Sequence, residues 1–458
     1  MTPDANDLCV FAVKRGNIEN RLDINYNLPK YALLIDKLWD VFGKRLKRIG
    51  DIADVICGPF GSAIKNTDYQ ESGIPLVRIT NISKDGYMDY SDLIFISESL
   101  GNTLVRTQVT AGDIVISQRG SLGQCAIVDD KFPKLNISAN IIAIKNIHET
   151  SAAFIHDYLL SSYGQSMLER STSGQVQQKI TTQDIENVLI PTGCDETKLS
   201  NIIPNAYTSF ILNKNKSKEV LENYSKRIMT SFSFNTSENA KKLCVGVHFK
   251  DLDGVIDAKR YMTTKKVDSK KLFDVCEIIE EKTNVIKFGN NIVDWIRIDD
   301  LQNNPIDIEA LRTVSASEME GTFFEVEKDD ILVARLGPTI LNQKIVMVRN
   351  VDRPTLASAE FLVLRCKDGY YPEAVMAILK TEYYRDLMYS HSRGSTPSRY
   401  RLNREDALNL PFPDIKSSQK ELADEALRVR NEVLRLRNEA VIEWKEAKAR
   451  FDRELLGE

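Results

Sequence analysis

Short, mostly apolar runs alternate with polar turn residues in two separate parts of the chain. Runs rich in β-branched residues, such as Ile74–Ile82 and Ile114–Ser117, are bounded by Gly, Asn and Asp. Short runs of this kind between turn residues are typical of strands in a compact β-rich domain. A helical pattern follows the strands in each part, at Ala153–Leu160 and at Ala374–Leu379. The sequence therefore predicts an α+β protein with two β-rich domains.

The two parts carry the same motifs in the same order, which indicates an internal repeat. The matching segments are Val77–Ile82 with Ile296–Leu301, Gly112–Ser117 with Asp329–Ala334, Ile137–Ile144 with Ala357–Leu364, and Tyr163–Gly174 with Tyr383–Gly394. Their offset stays near 217–220 residues. We interpret the chain as two diverged copies of one module.

Each copy is followed by a pattern that predicts a long helix. From about Lys416 to Leu456 there is no proline. Apolar residues in this stretch recur at alternating spacings of four and three, which is the seam of a coiled coil; they are Leu422, Ala426, Val429, Val433, Leu436 and Ala440. Asn205–Phe232 shows a rougher version, with a polar stretch interrupting its apolar face and with Pro204 expected to start or break the helix.

We predict that the two long helices pack antiparallel as a coiled-coil spacer between the modules. A helix of about 28 residues spans roughly 40 Å, and DNA half-sites one turn apart are separated by roughly 34–36 Å. The predicted segments are an N-terminal segment 1–20, a first module 21–194, a central helix 195–235, a second module 236–414 and a C-terminal helix 415–458.

Composition limits how this chain can bind nucleic acid and where it works. Lys and Arg number 61 and Asp and Glu number 65, for a net charge of −4. This balance excludes a protein that coats nucleic acid through overall positive charge, but it leaves room for local basic surfaces. The seven cysteines are scattered singly, which indicates free thiols in a reducing cytoplasm. No apolar run is long enough to span a membrane, and the polar N-terminus differs from a signal peptide.

Motifs for catalysis are missing from the sequence. There is no phosphate-binding Gly-x-x-x-x-Gly-Lys-Ser/Thr, no Gly-x-Gly-x-x-Gly after a strand, and no Asp/Asn-Pro-Pro-aromatic tetrapeptide of the kind that amino-methyltransferases use. The four histidines are not clustered with each other or with cysteines, so no zinc site is predicted. A nuclease site built from Asp414 and Glu443–Lys445 is disfavoured, because the latter residues fall on the charged C-terminal helix. We expect no catalytic residue and no metal in this chain.

The strongest candidates for DNA contact lie in a polar loop at the same place in each copy. Arginine can bind guanine and glutamine can bind adenine in the major groove, while hydroxyl groups suit phosphate oxygens. In the second copy the candidates are Arg393, Ser395, Thr396, Ser398, Arg399 and Arg401; in the first they are Gln175, Gln177, Gln178 and Lys179. The alternative is a solvated surface loop.

Other candidates lie on turns and near strands. Ser62 and Lys65 belong to the turn Gly58–Lys65, which either touches the DNA backbone or is a plain hairpin turn with Phe60 in the core. Arg78 and Arg297 share one repeat position inside strands, where each contacts DNA or pairs with a buried carboxylate. The remaining candidates, with similar alternatives, precede the matched glycines Gly120 and Gly337; they are Gln118, Arg119 and Arg335.

Several of these segments, taken in order, resemble the target-recognition domains of type I restriction–modification specificity subunits. They are Gly58–Ser62, Gly73–Arg78, Gly112–Ser117, Arg119–Gly123, Ser138–Ile141 and the loop around Gly174. The duplication and the two spacer helices resemble the architecture of that family over nearly the whole chain. The second copy departs from the pattern, with Lys287–Asn291 near the place of the Gly-Pro-Phe-Gly turn and Asp329–Ile331 in place of Gly-Asp-Ile.

The resemblance implies a non-catalytic subunit that reads a bipartite DNA sequence, with one half-site per recognition domain. It implies that the spacer helices bind two methyltransferase subunits, which use S-adenosylmethionine to methylate adenine, and that ATP- and Mg²⁺-dependent restriction subunits join them. No cofactor is then expected in this chain. Two other interpretations stay open: an autonomous DNA-modifying enzyme with an unrecognised active site, and a coiled-coil scaffold that binds proteins.

Overall fold

The computed structural model describes residues 23–119, 123–172, 179–234, 270–308 and 311–458. The chain forms two compact units. Unit 1 comprises Met1–Leu212 with Ala440–Glu458, and unit 2 comprises Asn213–Glu439. Each unit thus contains one sequence copy together with parts of both long helices, whereas the five predicted segments treat the helices as separate pieces. That division into five segments stays a prediction.

The α-helices of the described residues are α1 Pro29–Phe42, α2 Ile49–Ile52, α3 Glu98–Thr103, α4 Ala152–Leu160, α5 Ser162–Ser171, α6 Thr182–Glu186, α7 Glu196–Leu199, α8 Ile202–Ser231, α9 Leu272–Val275, α10 Gly337–Leu341, α11 Pro372–Leu379, α12 Glu382–Ser390, α13 Arg404–Leu408 and α14 Gln419–Leu456.

The strands of unit 1 are β1 Leu46–Arg48, β2 Asp54–Cys57, β3 Tyr69–Gln70, β4 Ile74–Val77, β5 Ile94–Ile96, β6 Gln108–Val109, β7 Ile114–Ser117, β8 Cys125–Ile127, β9 Leu135–Ile137, β10 Ile141–Lys145 and β11 Leu189–Pro191. Those of unit 2 are β12 Lys270–Lys271, β13 Cys276–Ile278, β14 Lys282–Asn284, β15 Ile292–Ile296, β16 Arg312–Ser315, β17 Thr322–Val326, β18 Ile331–Ala334, β19 Ile345–Met347, β20 Thr355–Ser358, β21 Phe361–Cys366 and β22 Pro411–Phe412.

Both units contain the same four-stranded antiparallel sheet. Its order is β2-β10-β7-β8 in unit 1 and β13-β21-β18-β19 in unit 2. The register also agrees, because Ser117 pairs with Ile141 in one unit and Ala334 pairs with Phe361 in the other. The predicted duplication of an α+β module is therefore confirmed.

A second sheet in each unit shows where the copies have diverged. Its order is β3-β5-β4-β9-β6 in unit 1 and β14-β17-β20-β15-β16 in unit 2. Four strands correspond, with a parallel pair at the centre of each sheet, β4 with β9 and β15 with β20. The fifth strand is added at opposite edges, since β3 pairs with β5 whereas β14 pairs with β17. This difference falls in the segment where the second copy lacks the Gly-Pro-Phe-Gly turn.

The central strands are mostly apolar because both faces of the four-stranded sheet are buried. Successive side chains of a strand point to opposite faces. In β10, Ile142 and Ile144 pack in the core that includes the helices, while Ile141 and Ala143 pack in a second core. The alternation is repeated in β18 and β21 of unit 2. A strand covered on both faces reads as a continuous apolar run.

The two long helices pack within each unit through their apolar faces. Pro204 is the third residue of α8, where its missing N–H removes no helical hydrogen bond. In unit 1, the ring of Trp444 lies 6.2 Å from that of Tyr207 and 6.1 Å from that of Phe210. In unit 2, the Tyr224 hydroxyl donates to the carbonyl oxygen of Leu422 at 3.3 Å.

The seam predicted along the C-terminal helix is confirmed as the buried face of α14. Its buried members are Leu422, Val433, Leu436 and Ala440, and Phe451 is 0% exposed. Ala426 and Val429 are half-buried. No helix among the described residues is long and apolar enough to cross a membrane.

The cysteines in the described part of the chain are free thiols, as the sequence predicts; they are Cys57, Cys125, Cys194, Cys276 and Cys366. Cys276 and Cys366 are cross-strand neighbours in β13 and β21, with their Sγ atoms 3.5 Å apart.

Candidate nucleic-acid interface

The turn after β2 is held against Ser138–Asn140, the segment that connects β9 to β10. Gly58 donates its N–H to the carbonyl oxygen of Ile141 at 2.8 Å. A Cβ atom on Gly58 would lie 2.0 Å from the carbonyl oxygen of Ser138. Only glycine permits so close an approach of two backbones without a shift, so this residue fixes the turn beside Ser138–Asn140.

The turn borders an open cleft of about 400 Å³ whose lining includes Phe60, Arg78 and Asn140. The side chain of Phe60 is 91% exposed, so the alternative that places Phe60 in the core is wrong. Phe60 lines the cleft and does not belong to the apolar cores of unit 1. Ser62 and Lys65 are exposed on the same turn.

The two arginines at the shared repeat position lie just beyond strands rather than inside them. β4 ends at Val77, because the N–H of Arg78 donates to the side chain of Asn81 at 2.9 Å instead of to a neighbouring strand. Arg78 pairs with Asp92 at 2.8 Å, and Arg297 pairs with Asp299 at 3.1 Å. The carboxylates are 75% and 80% exposed, so the alternative of a buried carboxylate partner is wrong for both arginines.

The residue after β7 in unit 1 and the residue after β18 in unit 2 make the same two backbone hydrogen bonds. We call this pair of hydrogen bonds the backbone frame. In unit 1, Gln118 donates its N–H to Asn140 at 2.9 Å and accepts from the N–H of Ile180 at 3.1 Å. In unit 2, the N–H of Arg335 donates to the carbonyl oxygen of Glu360 at 3.2 Å, and Arg335 accepts from the N–H of Leu402 at 2.9 Å. The frame makes Gln118 equivalent to Arg335, and Asn140 equivalent to Glu360.

The side chains of these frame residues differ in exposure. Gln118 is only 6% exposed, and its amide nitrogen lies 3.9 Å from Cys57 Sγ. Arg119 is exposed. Arg335 is partly buried, and its Nε has no hydrogen-bond partner among the described residues. Direct contact of these side chains with DNA stays a prediction.

The polar loop of the first copy falls largely outside the described residues, and this includes Gln175, Gln177 and Gln178. Lys179, at its end, is half-buried.

The polar loop of the second copy is a hairpin that presents its tip to solvent. Arg393 and Arg401 pair as an antiparallel bridge, with N–H to oxygen distances of 3.0 and 2.8 Å. A Cβ atom on Gly394 would lie 2.4 Å from the carbonyl oxygen of Arg399, so glycine allows the two arms to meet. The tip residues are exposed and include four of the predicted contacts, Ser395, Thr396, Ser398 and Arg399.

Most arginines of this hairpin are held by acidic side chains. Arg393 pairs with Asp406 at 2.9 Å, and Arg401 binds Glu360 through two hydrogen bonds of 3.1 Å each. The carboxylate of Glu360 raises the pKa of Arg401. No such contact holds the Arg399 guanidinium among the described residues, so Arg399 is the hairpin cation most available to a ligand.

Three residues of these surfaces were missed as individual site candidates in the sequence. Phe60 lies in the turn Gly58–Lys65, and Asn140 and Glu360 lie in the matching segments Ile137–Ile144 and Ala357–Leu364. Their signal was present, because Ser138–Asn140 and Ser358–Glu360 align in the repeat and end in different polar residues. A polar residue that varies at a fixed frame position is a candidate for specificity. The described residues contain no cluster of ligands that could hold a metal ion.

Comparison with known proteins finds a family that part of this chain resembles. Residues 43–223 match the family described as "Type I restriction modification DNA specificity domain". A curated relative is the type I restriction enzyme EcoBI specificity subunit of Escherichia coli, which is 26% identical over 165 residues. That match covers 36% of this chain and 33% of the relative. This chain therefore matches only a third of the length of that relative.

Solved structures are similar over most of the chain. One structure is described as "Structural basis underlying complex assembly and conformational transition of the type I R-M system" and is 14% identical in sequence. The match covers 90% of this chain and 95% of that chain, with a TM-score of 0.42. Another is a type I restriction–modification S subunit from M. genitalium, with 12% identity, coverage of 90% and 94%, and a TM-score of 0.37. The family match at residues 43–223 confirms the resemblance seen in the sequence.

Proposed function

We propose that this chain, whose residues 43–223 carry a type I restriction modification DNA specificity domain, is the non-catalytic DNA-recognition subunit of a type I restriction–modification complex. It reads a bipartite target on double-stranded DNA, one half-site with each unit. The single observation that carries the proposal is the duplicated fold, in which a recognised specificity domain is followed by a second unit with the same sheet order.

The surfaces that read DNA differ between the units. Unit 1 offers the cleft with Phe60, Arg78 and Asn140, and unit 2 offers the hairpin with Arg399 at its tip. Backbone contacts position a protein on DNA, while side chains in the groove read the bases. The two units carry different side chains at equivalent backbone positions, which supports the reading of two different half-sites.

The long helices α8 and α14 supply the docking surface for two methyltransferase subunits. Large apolar residues are exposed on their unit 1 portions, namely Leu212, Val441 and Ile442, which are 52%, 44% and 54% exposed. Contiguous exposed apolar surface marks protein interaction sites, and these three side chains are candidates for it. We propose that α8 and α14 run antiparallel along their full length, within the predicted segments 195–235 and 415–458.

The partner subunits supply the chemistry of the complex. Methyltransferase subunits use S-adenosylmethionine, and restriction subunits use ATP and Mg²⁺, so this chain needs no cofactor of its own. The net charge of −4 is compatible with DNA binding, because partner subunits supply part of the surface that neutralises phosphates. We place the complex in the cytoplasm, where it meets DNA.

Replacing Arg399 by alanine is expected to weaken DNA binding and to lower the dependence of log Kd on log salt concentration by about 1. The guanidinium is exposed at the hairpin tip, so its loss removes one phosphate or base contact without leaving a buried acid unpaired. Fluorescence anisotropy of a labelled duplex at several salt concentrations measures both effects.

Lys420→Ala is the matched control, because it removes one positive charge from an exposed position near the start of α14. It should leave the salt dependence unchanged. A protein-binding scaffold predicts no effect of either substitution. Equal effects of both would mean that only net charge matters, which contradicts a reading role for the hairpin.

A further inference from the structure

We infer that residues 140 and 360 are equivalent base-reading positions with different base preferences. Asn140 reads an adenine in one half-site, and Glu360 together with Arg401 reads a C·G base pair in the other. This inference rests on the proposed function and assigns the residues that make the two half-sites differ.

The equivalence of the two positions comes from the backbone. Each accepts the N–H of the residue that follows the matched strand, Gln118 in unit 1 and Arg335 in unit 2. Each also directly precedes a central strand, β10 or β21. A side chain at this position is therefore placed by the same sheet in both units, and rigid elements position readers more precisely than loops do.

Asn140 is available to a ligand in unit 1. Its side chain is exposed, lines the cleft beside Phe60 and Arg78, and makes no hydrogen bond within the described residues. An asparagine amide has one donor and one acceptor edge, which match N7 and N6 of adenine in the major groove. Apolar contact with a thymine methyl group is another major-groove signal, and the exposed Phe60 ring can supply it. Both side chains therefore favour an A·T-containing half-site.

Glu360 has a different partner in unit 2. Its two carboxylate oxygens accept hydrogen bonds from Arg401 Nε and Nη2, each at 3.1 Å. The side chains of Arg401 and Glu360 are 46% and 38% exposed, so the pair is accessible to a ligand. Arginine carries five N–H donors in a fixed fork, and two of them are engaged by Glu360.

The donors and acceptors of the Arg401–Glu360 pair that remain free match a C·G base pair. The remaining donors of Arg401 can bind guanine O6 and N7, and the free lone pairs of Glu360 can accept from cytosine N4. Because the carboxylate orients the guanidinium before DNA arrives, the reader is preorganised. The salt bridge therefore serves as a recognition element rather than only as a surface ion pair.

The test compares DNA sequences selected by the unaltered chain and by Asn140→Glu. Each full-length protein carries an affinity tag, is recovered from cells with its bound subunits, and selects duplexes from a randomised pool that are then sequenced. Asn140→Glu is expected to replace the adenine preference at one position of one half-site by a cytosine preference, with the other half-site unchanged. The change in relative enrichment should be roughly 5- to 150-fold, the range for one good bidentate base contact.

One further variant is a control, and another is the reciprocal test. Asn303→Glu introduces the same change at an exposed loop position of unit 2 and should leave the selected sequence unaltered. Glu360→Asn should have the reciprocal effect and introduce an adenine preference into the second half-site. Hydrogen exchange of each variant checks that both units remain folded.

The outcomes separate the inference from the proposed function. An unchanged selected sequence with folded Asn140→Glu overturns the base-reading role of residue 140. Loss of the whole half-site also overturns it, because the residue would then position the unit instead of reading one base. If the unaltered chain enriches no sequence at all, the proposed function itself fails.

Discussion

Replacing Gly58 by alanine is expected to erase base preference in one half-site while the other half-site is still read. The added Cβ atom would lie 2.0 Å from the carbonyl oxygen of Ser138, so the turn and the strand end must separate. Overpacking of this kind costs typically about 1–3 kcal/mol. The turn that carries Phe60, Ser62 and Lys65 would move away from Asn140, and the cleft would lose its shape.

The reciprocal substitution is Gly394→Ala in unit 2. Its Cβ atom would lie 2.4 Å from the carbonyl oxygen of Arg399, so the arms of the hairpin must part and the tip shifts. Competition binding with duplexes altered in one half at a time assigns each loss to a half-site. The two substitutions should damage different halves.

Gly61→Ala is the matched control for the first substitution. Gly61 lies in the same turn, and a Cβ atom there would meet nothing within 4 Å. It should leave recognition close to that of the unaltered chain. If Gly58→Ala and Gly394→Ala damaged the same half-site, the assignment of one half-site to each unit would be wrong.

Replacing Phe451 by alanine is expected to destabilise unit 1 by about 3–5 kcal/mol, the usual cost of truncating a buried phenylalanine. Phe451 is 0% exposed, and its ring centroid lies 6.3 Å from that of Phe154 in α4. The substitution leaves a cavity between α14 and the body of unit 1. Loosening this contact should also weaken recognition by unit 1, because α4 belongs to the core on which its four-stranded sheet packs.

Hydrogen exchange read by mass spectrometry localises this effect. Peptides from α4 and α5 should lose protection, while those from α11 and α12 in unit 2 should not. Val441→Ala is a suitable control, because Val441 lies on the same helix and is 44% exposed. Equal loss of protection in both units would contradict the separate packing of α14 with unit 1 at this position.

The order of motifs along the chain was sufficient to predict the duplicated sheet. Continuous apolar runs such as Ile114–Ile116 and Ile331–Ala334 occur at the same place in both copies, and burial of both faces leaves little choice of residue. The edge strands β3 and β14 were not predictable in the same way. They lie on opposite sides of the second sheet, in segments with no sequence correspondence.

The site was predictable only as a set of loops. Long-range partners decided which side chains remain available, and a linear sequence does not show them. Arg401 is engaged by Glu360, 41 residues earlier in the chain, and Arg393 is engaged by Asp406. The sequence left open whether Phe60 lies in the core, and only the structure shows that its side chain is 91% exposed.

The same pairings explain how a chain with a net charge of −4 can carry an arginine-rich hairpin. Arg393 and Arg401 each have a carboxylate partner, namely Asp406 and Glu360. Arg404, just after the hairpin, pairs with Glu280. The hairpin is therefore less positive than its sequence indicates. Carboxylates orient Arg393 and Arg401, which suits the reading of bases better than general attraction to phosphates.

Mapping of methylated adenine across the genome that carries this gene tests the central claim most directly. The account predicts a bipartite motif, with two short fixed blocks separated by a gap of constant length and free sequence, that disappears when the gene is deleted and returns when it is restored. A methylation pattern unaffected by the deletion, or a lost motif made of one uninterrupted block, would contradict it.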